Sequence, residues 1–339
     1  MTKKLLALAS VATPAWMACG AELAIEEIVV TASRIGSVDQ RVVVMGEDEV
    51  DEAFFHAADA LRVLPGFALS TNGHRGSLTQ ARVRGAESNH LLVLLDGIAL
   101  NDPALGAEFN FGALDFAGVQ RVEYLAGPQS AIWGSDALAG VLYLDTTPRR
   151  DASRLALGGG SHGTVDADFE FARVSGYRHA SVAVGRVVSD GTNPAAGDED
   201  DGFANTTAHV NLGRSWNRWQ ASVAARLTDT DVDYDPTPGP RYLPADGDRN
   251  AQGRSGVVHG ALRFSPTDTI ESWLTLASSR DRNRQYADGA FTDGTVGRRD
   301  TATLATNFRF DLQRVNVTVE LERERIRQTG AASPFGDPN

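Results

Sequence analysis

Residues 219–227 run Trp219-Gln220-Ala221-Ser222-Val223-Ala224-Ala225-Arg226-Leu227. Trp219, Ala221, Val223, Ala225 and Leu227 fall on one side of a two-residue repeat, with Gln220, Ser222, Ala224 and Arg226 on the other. A period of two is that of a β-strand, whose side chains point alternately to opposite faces. The same pattern returns at Val165, Ala167, Phe169 and Phe171 against Thr164, Asp166, Asp168 and Glu170. It recurs around Ala180–Val184, Ala208–Leu212 and Val315–Leu321. Short turns are expected at Ser175-Gly176, Ser215 to Arg218, Ser265 to Asp268 and Gln313-Arg314, and long polar loops at 189–203, 230–254 and 284–297. Strands of ~10 residues with short turns at one end and long loops at the other describe a transmembrane β-barrel. One strand face would meet lipid and the other an aqueous lumen. A soluble all-β domain also alternates but accounts less well for the unequal connections. Roughly nine strands are expected after residue 150, and a bacterial barrel must close with an even number. An open edge in lipid strands backbone donors and acceptors, so the chain is expected to be part of a longer one.

The 339 residues carry 32 basic and 44 acidic side chains, a net charge of -12 that argues against a nucleic-acid partner bound through a basic surface. Lys3 and Lys4 are the only lysines, which excludes a Walker A lysine or a Schiff-base lysine elsewhere. Cys19 is the single cysteine, so neither an internal disulfide nor a cysteine-rich zinc site can form. Residues 1–21 have a basic start, an apolar stretch from Leu5 and the small residues Cys19-Gly20-Ala21, the pattern of a cleaved signal peptide. A lipoprotein signal at Cys19 is the minor alternative. No later run approaches the ~18 apolar residues of a membrane-spanning helix.

Residues 22–40 form an extended lead, with β-branched Ile28-Val29-Val30-Thr31 suited either to pairing with another protein's sheet edge or to a first strand. Residues 41–148 read as a small α/β unit. Asp48 to Leu64 has helical spacing, stopped by Pro65-Gly66. Leu91 to Leu95 is a buried strand closed by Asp96-Gly97, followed by strands at Val119 to Leu125 and Val141 to Asp145 and a helical turn at Gln129 to Trp133. Residues 150–339 are the strand-rich part.

Two motifs are decoys. Gly158, Gly160 and Gly163 have dinucleotide-fingerprint spacing, and Gly159, Ser161 and Gly163 that of a nucleophile elbow. Both need a following helix, whereas a strand follows here, so this stretch is a turn between strands. A hydrolase reading would rest on Ser161 alone. The seven histidines are scattered without a zinc-protease pattern.

Several blocks, in order, resemble the TonB-dependent outer-membrane receptors. Glu27-Ile28-Val29-Val30-Thr31-Ala32 is similar to a TonB box. Asp59 to Gly66, Arg82 to Gly85, Leu94 to Ile98, Val119 to Tyr124 and, most specifically, Gly127-Pro128-Gln129-Ser130-Ala131-Ile132-Trp133-Gly134 through Val141 resemble the plug. The remainder resembles the first strands of a barrel of about 22 strands. The resemblance implies an α/β plug followed by antiparallel transmembrane β-barrel strands, no enzymatic step, and an outer-membrane location with a periplasmic N-terminus. It implies substrate contacts on plug loops at Asn72, His74, Arg75, Ser77 and Asn110, and plug–barrel contacts at Arg82 and Arg84. One departure is Ala126, where the family usually places an arginine before the Gly-Pro pair.

Within that family the cobalamin receptors are most similar. Asn72 to Gln80 resembles their first substrate-facing loop, and Asp198 to Phe203 their calcium-binding loop, with Asp235 and Asp246 in the next loop. Asp198, Asp200, Asp235 and Asp246 are therefore the candidate calcium ligands. Acidic loops supply the oxygen donors that hard cations take, but they also occur simply solvated. No cofactor is otherwise required. The implied partners are TonB with its ExbB-ExbD motor, a scarce small-molecule nutrient and outer-membrane lipid. Binding at the outer face would release the box, and TonB would pull on the plug. Ferric siderophore is the alternative ligand, and a soluble exported β-rich binding module is the alternative class.

Overall fold

A computed structural model describes residues 42–46, 49, 50, 57–193, 195, 200–237, 243, 245–310 and 313–330. The signal peptide and the Glu27–Ala32 segment lie outside them, as does Asp198.

The plug is built on a five-stranded sheet, order β1-β6-β7-β4-β5, where β1 is Val42–Met45, β4 Leu91–Leu95, β5 Ile98–Ala99, β6 Arg121–Ala126 and β7 Gly140–Asp145. A separate hairpin pairs β2 (Phe67–Thr71) with β3 (Thr79–Val83). All five residues of β4 are buried, as a strand covered on both faces requires. It pairs in parallel with β7 on one side and turns into β5 on the other. That turn is Asp96-Gly97, with φ of 49° and 88°, the left-handed pair that a two-residue hairpin demands. The expected helix at Asp48 to Leu64 is described as α1, Ala57–Leu61, with Ala57 and Leu61 buried. The expected helical turn is α2, Ser130–Trp133. Phe67 sits edge-on to both Phe111 and Tyr124, at 5.7 Å, with Leu61, Leu91 and Phe116 in the same core. Each such side chain contributes roughly 1.5–3 kcal/mol on burial.

Nine strands follow: β8 (Ala152–Gly159), β9 (Val165–Ser175), β10 (Arg178–Thr192), β11 (Asp201–Trp216), β12 (Trp219–Asp233), β13 (Arg249–Thr267), β14 (Ile270–Ala287), β15 (Ala290–Arg309) and β16 (Arg314–Gly330). They form one antiparallel sheet in which each strand pairs only with its sequence neighbours. The glycine-rich decoy is the turn between β8 and β9.

Polarity is reversed relative to a soluble sandwich. Asp166, Asp168 and Glu170 are buried toward the plug, while Val165, Phe169 and Phe171 are exposed. The same outward face carries Leu155, Leu157, Val182, Val184, Leu212, Val223, Leu227, Leu274 and Leu276. An apolar band facing out over a polar interior is the lipid belt of a membrane barrel. At its short-turn end Trp219 stacks on Phe264 at 4.2 Å, an aromatic pair of the kind that lines the membrane interface. No described helix is long and apolar enough to cross a membrane. The crossing is made by strands.

One connection differs from the sequence expectation. Residues 284–297 are not a long loop. β14 and β15 run through them and meet at Asp288-Gly289, with φ of 50° and 71°. The stretch is polar because it rises past the apolar band, where neither face needs to be hydrophobic.

Candidate functional site

The plug meets the strands through polar contacts that are largely supplied by the wall. Arg226 is inward-facing on β12, the phase set by Trp219 and its alternating neighbours, and is only 7% exposed. Its guanidinium donates to two plug carbonyls, Ala117 O at 2.6 Å and Asp115 O. Arg299 on β15 donates to Asn101 O at 3.0 Å while pairing with Glu324 on β16 at 2.7 Å. Arg226 spans two carbonyls with separate guanidinium nitrogens, a fork that a lysine could not match. Asparagines add single bonds: Asn205 Nδ2 to Ala113 O at 3.1 Å, Asn211 Nδ2 to Thr146 Oγ1 at 2.8 Å and Asn283 Nδ2 to Asp102 Oδ2 at 2.9 Å. From the plug side Gln120 donates to Glu170 at 2.5 Å.

The Asp96-Gly97 turn is anchored on both sides. The Asp96 carboxylate accepts from Thr146 N at 2.8 Å and Thr146 Oγ1 at 2.5 Å, and from His259 Nε2 on β13 at 3.2 Å. Burial opposes its ionisation, yet the His259 and Thr146 bonds hold the carboxyl below its ordinary value. Asp115 differs: burial pushes it up, more than Arg226 and the Ala117 N–H pull it back. Burial likewise raises Asp102.

Close approach also needs absent side chains. Gly76 in the β2–β3 loop has φ 89°, and a Cβ there would overlap the Phe203 ring of β11.

Asn72 is exposed in the β2–β3 loop. His74 Nε2 donates to the carbonyl of Asp233 at 2.6 Å, and Arg75 pairs with Asp166 at 3.3 Å, so both reach the wall. Ser77 is buried. Asn110 Oδ1 accepts from Thr79 N and Gly112 N, both at 2.9 Å, and so ties its loop to β3. A cavity of about 470 Å³ lies between this loop and β9–β11, bordered by His74, Arg75, Asp115, Asp166 and Asn205. Arg82 is exposed and pairs with Glu87 of the plug at 3.2 Å. Arg84 is exposed after it, at φ 52°. Among the described residues neither pairs with a carboxylate of the nine strands. Arg226 and Arg299, not singled out from sequence, supply charge in the opposite direction.

Of the four candidate calcium ligands, Asp198 lies outside the described residues. Asp235 is buried and accepts from Gly247 N at 3.2 Å, whereas Asp200 and Asp246 are exposed. Among the described residues no three acidic, histidine or cysteine side chains form a metal cluster.

Residues 34–141 match the TonB-dependent receptor plug domain family. With the strand sheet behind it, the chain has the architecture of the plug and part of the barrel of the TonB-dependent outer-membrane receptors. It is 29% identical over 303 residues to the vitamin B12 transporter BtuB of Photobacterium profundum, covering 85% of this chain and 48% of that protein. In fold it is similar to the siderophore receptor PiuA from Acinetobacter baumannii (TM-score 0.67, 18% identity, 88% of this chain and 47% of that one). It is also similar to the pyoverdine receptor FpvA from Pseudomonas aeruginosa PAO1 (TM-score 0.67, 14% identity, 85% and 47%). The chain thus spans about half the length of the relatives it matches.

Proposed function

We propose that the protein is a receptor for energised, TonB-dependent uptake of a scarce nutrient, with cobalamin as the ligand. The observation that carries the transport reading is the hydrogen-bonded seam around Arg226, Arg299 and Asp96. A seam of polar groups separates at low cost, because both sides regain water, whereas an apolar seam would not. The cobalamin assignment is supported by the 29% identity to a vitamin B12 transporter. Ligand would bind at the outer face over Asn72, His74, Arg75, Ser77 and Asn110. The Glu27–Ala32 segment would then pair with TonB by strand addition, and its ExbB-ExbD motor would supply the pull. Arg82 and Arg84 are proposed to face wall strands beyond the nine.

The test is titration of cyanocobalamin, with a ferric siderophore as comparison, onto the full-length outer-membrane form. Tight cyanocobalamin binding is expected. Siderophore binding in its place would overturn the ligand and leave the receptor class standing. The titration is repeated with calcium; strengthening by calcium would support Asp198, Asp200, Asp235 and Asp246 as ligands.

A further inference from the structure

The lipid-facing side of the sheet carries a feature that the transport reading does not use. Near the short turns, Arg178 on β10 lies directly opposite Arg214 on β11. Arg173 on β9 is one diagonal step away, because its own partner is Ala180. All three are exposed, and the register places them on the outward face with Phe171, Val182 and Leu212. Like charges directly opposite on neighbouring strands repel. Arg173 has a counter-charge in Asp151 at 3.7 Å and lies over the Phe171 ring at 4.5 Å. Arg178 and Arg214 have no ion-pair partner among the described residues. The arrangement has an unmet demand for negative charge.

The surface beside them holds a shallow depression. It measures about 530 Å³ and is lined by Ala180, Leu212 and Ala221 together with the three arginines. Small side chains at Ala180 and Ala221 leave room between the arginines and the neighbouring apolar side chains. Ala221 lies directly opposite Arg214, and Ala180 and Leu212 lie one step further from the short turns on the same face.

We propose that this depression binds one anionic phospholipid of the periplasmic leaflet, its phosphate between Arg178 and Arg214 and one acyl chain along Ala180 and Ala221. Three observations agree. The arginines stand at the end with the short turns, which in membrane barrels is periplasmic. They share that end with the Trp219–Phe264 pair, the depth of lipid headgroups. A guanidinium pair matches a phosphate by charge and by donor geometry. A free phosphate would satisfy the charge and leave the apolar lining bare, so lipid is the occupant.

The test is native mass spectrometry of the full-length receptor in neutral detergent, titrated with dioleoyl-phosphatidylglycerol or dioleoyl-phosphatidylcholine. Phosphatidylglycerol is expected to bind as one preferred adduct and phosphatidylcholine far more weakly. The double change Arg178→Gln with Arg214→Gln should weaken phosphatidylglycerol by about thirtyfold, from the usual contribution of two arginines near a lipid surface. Ala221→Phe keeps the charges and fills the depression, and should also weaken it. In lipid-free detergent the double variant should melt no lower than the parent, because it removes a repelling pair. Equal binding of the two lipids, undiminished binding in either variant, or a lower melting point for the double variant would overturn the site. Inorganic phosphate competing as well as phosphatidylglycerol would overturn the choice of lipid. None of these results bears on which nutrient is carried.

Discussion

Replacing Arg226 by methionine should loosen the plug at one defined place. The change keeps most of the side-chain volume and removes the charge, leaving the carbonyls of Asp115 and Ala117 without their guanidinium donors. Leaving a buried acceptor without its donor costs about 1–3 kcal/mol, and here two carbonyls lose theirs together. A loss of about 3 kcal/mol corresponds to roughly a 150-fold larger opening constant for that segment. Hydrogen exchange of the full-length receptor in detergent reads this directly at the amides of 113–120. They should exchange about two orders of magnitude faster, while amides of β13 and β14 stay as they were. Protection in the variant should partly return as pH falls, since protonated Asp115 no longer needs a counter-charge. Arg226→Lys should lie between, as one ammonium replaces a fork that reaches two carbonyls. A change below about threefold in Arg226→Met would refute the assignment of Arg226 as a plug anchor.

Three further outcomes follow from the same interface and sheet. Asp96 has its carboxyl held below the ordinary 3.8, so its contribution is present above pH 3.8 and lost as pH falls through the lowered value. Acid titration of Asp96→Asn should therefore lack an unfolding component that the parent shows below pH 3.8, read by near-UV circular dichroism. Gly76→Ala forces a Cβ onto Phe203 at a left-handed φ and should cost about 1–3 kcal/mol, seen as faster protease cleavage in the β2–β3 loop. Leu276→Arg places a charge on the lipid face and should cost about 2–4 kcal/mol in refolding into vesicles. Unchanged refolding of that variant would contradict the inside-out assignment of β14.

The strands were legible because alternation is a local property. It also set the phase of each strand, so Arg226 and Asp168 could be placed opposite the apolar face before any partner was known. The partners could not be read. Arg226 and Asp115 are 111 residues apart, and an arginine in an alternating strand carries no spacing that points to a plug carbonyl. Asp166, Asp168 and Glu170 were expected to face an aqueous lumen. They instead meet plug or wall groups, as in Arg75–Asp166 and Gln120–Glu170. The β14–β15 connection was misread because polar composition looks the same in a solvated loop and in strands rising beyond the lipid. Its Asp288-Gly289 pair was the available signal, since Asp-Gly favours a two-residue hairpin turn. In the plug, Asp96-Gly97 announced the same geometry and was read correctly.

The pairing pattern also sets an order of assembly. Every strand pairing among β8 to β16 joins neighbours in sequence, so the sheet can grow by adding one hairpin at a time to an edge already in place. The plug cannot be built this way. Its central parallel pair joins Leu91–Leu95 to Gly140–Leu144, and such long-range closure is slow relative to hairpin formation. A chain exported from its N-terminus presents all of the plug's strands before any of the wall's. The bonds from Arg226 and Arg299 then form only when β12 and β15 arrive, so the wall closes around a plug whose own sheet no longer depends on it.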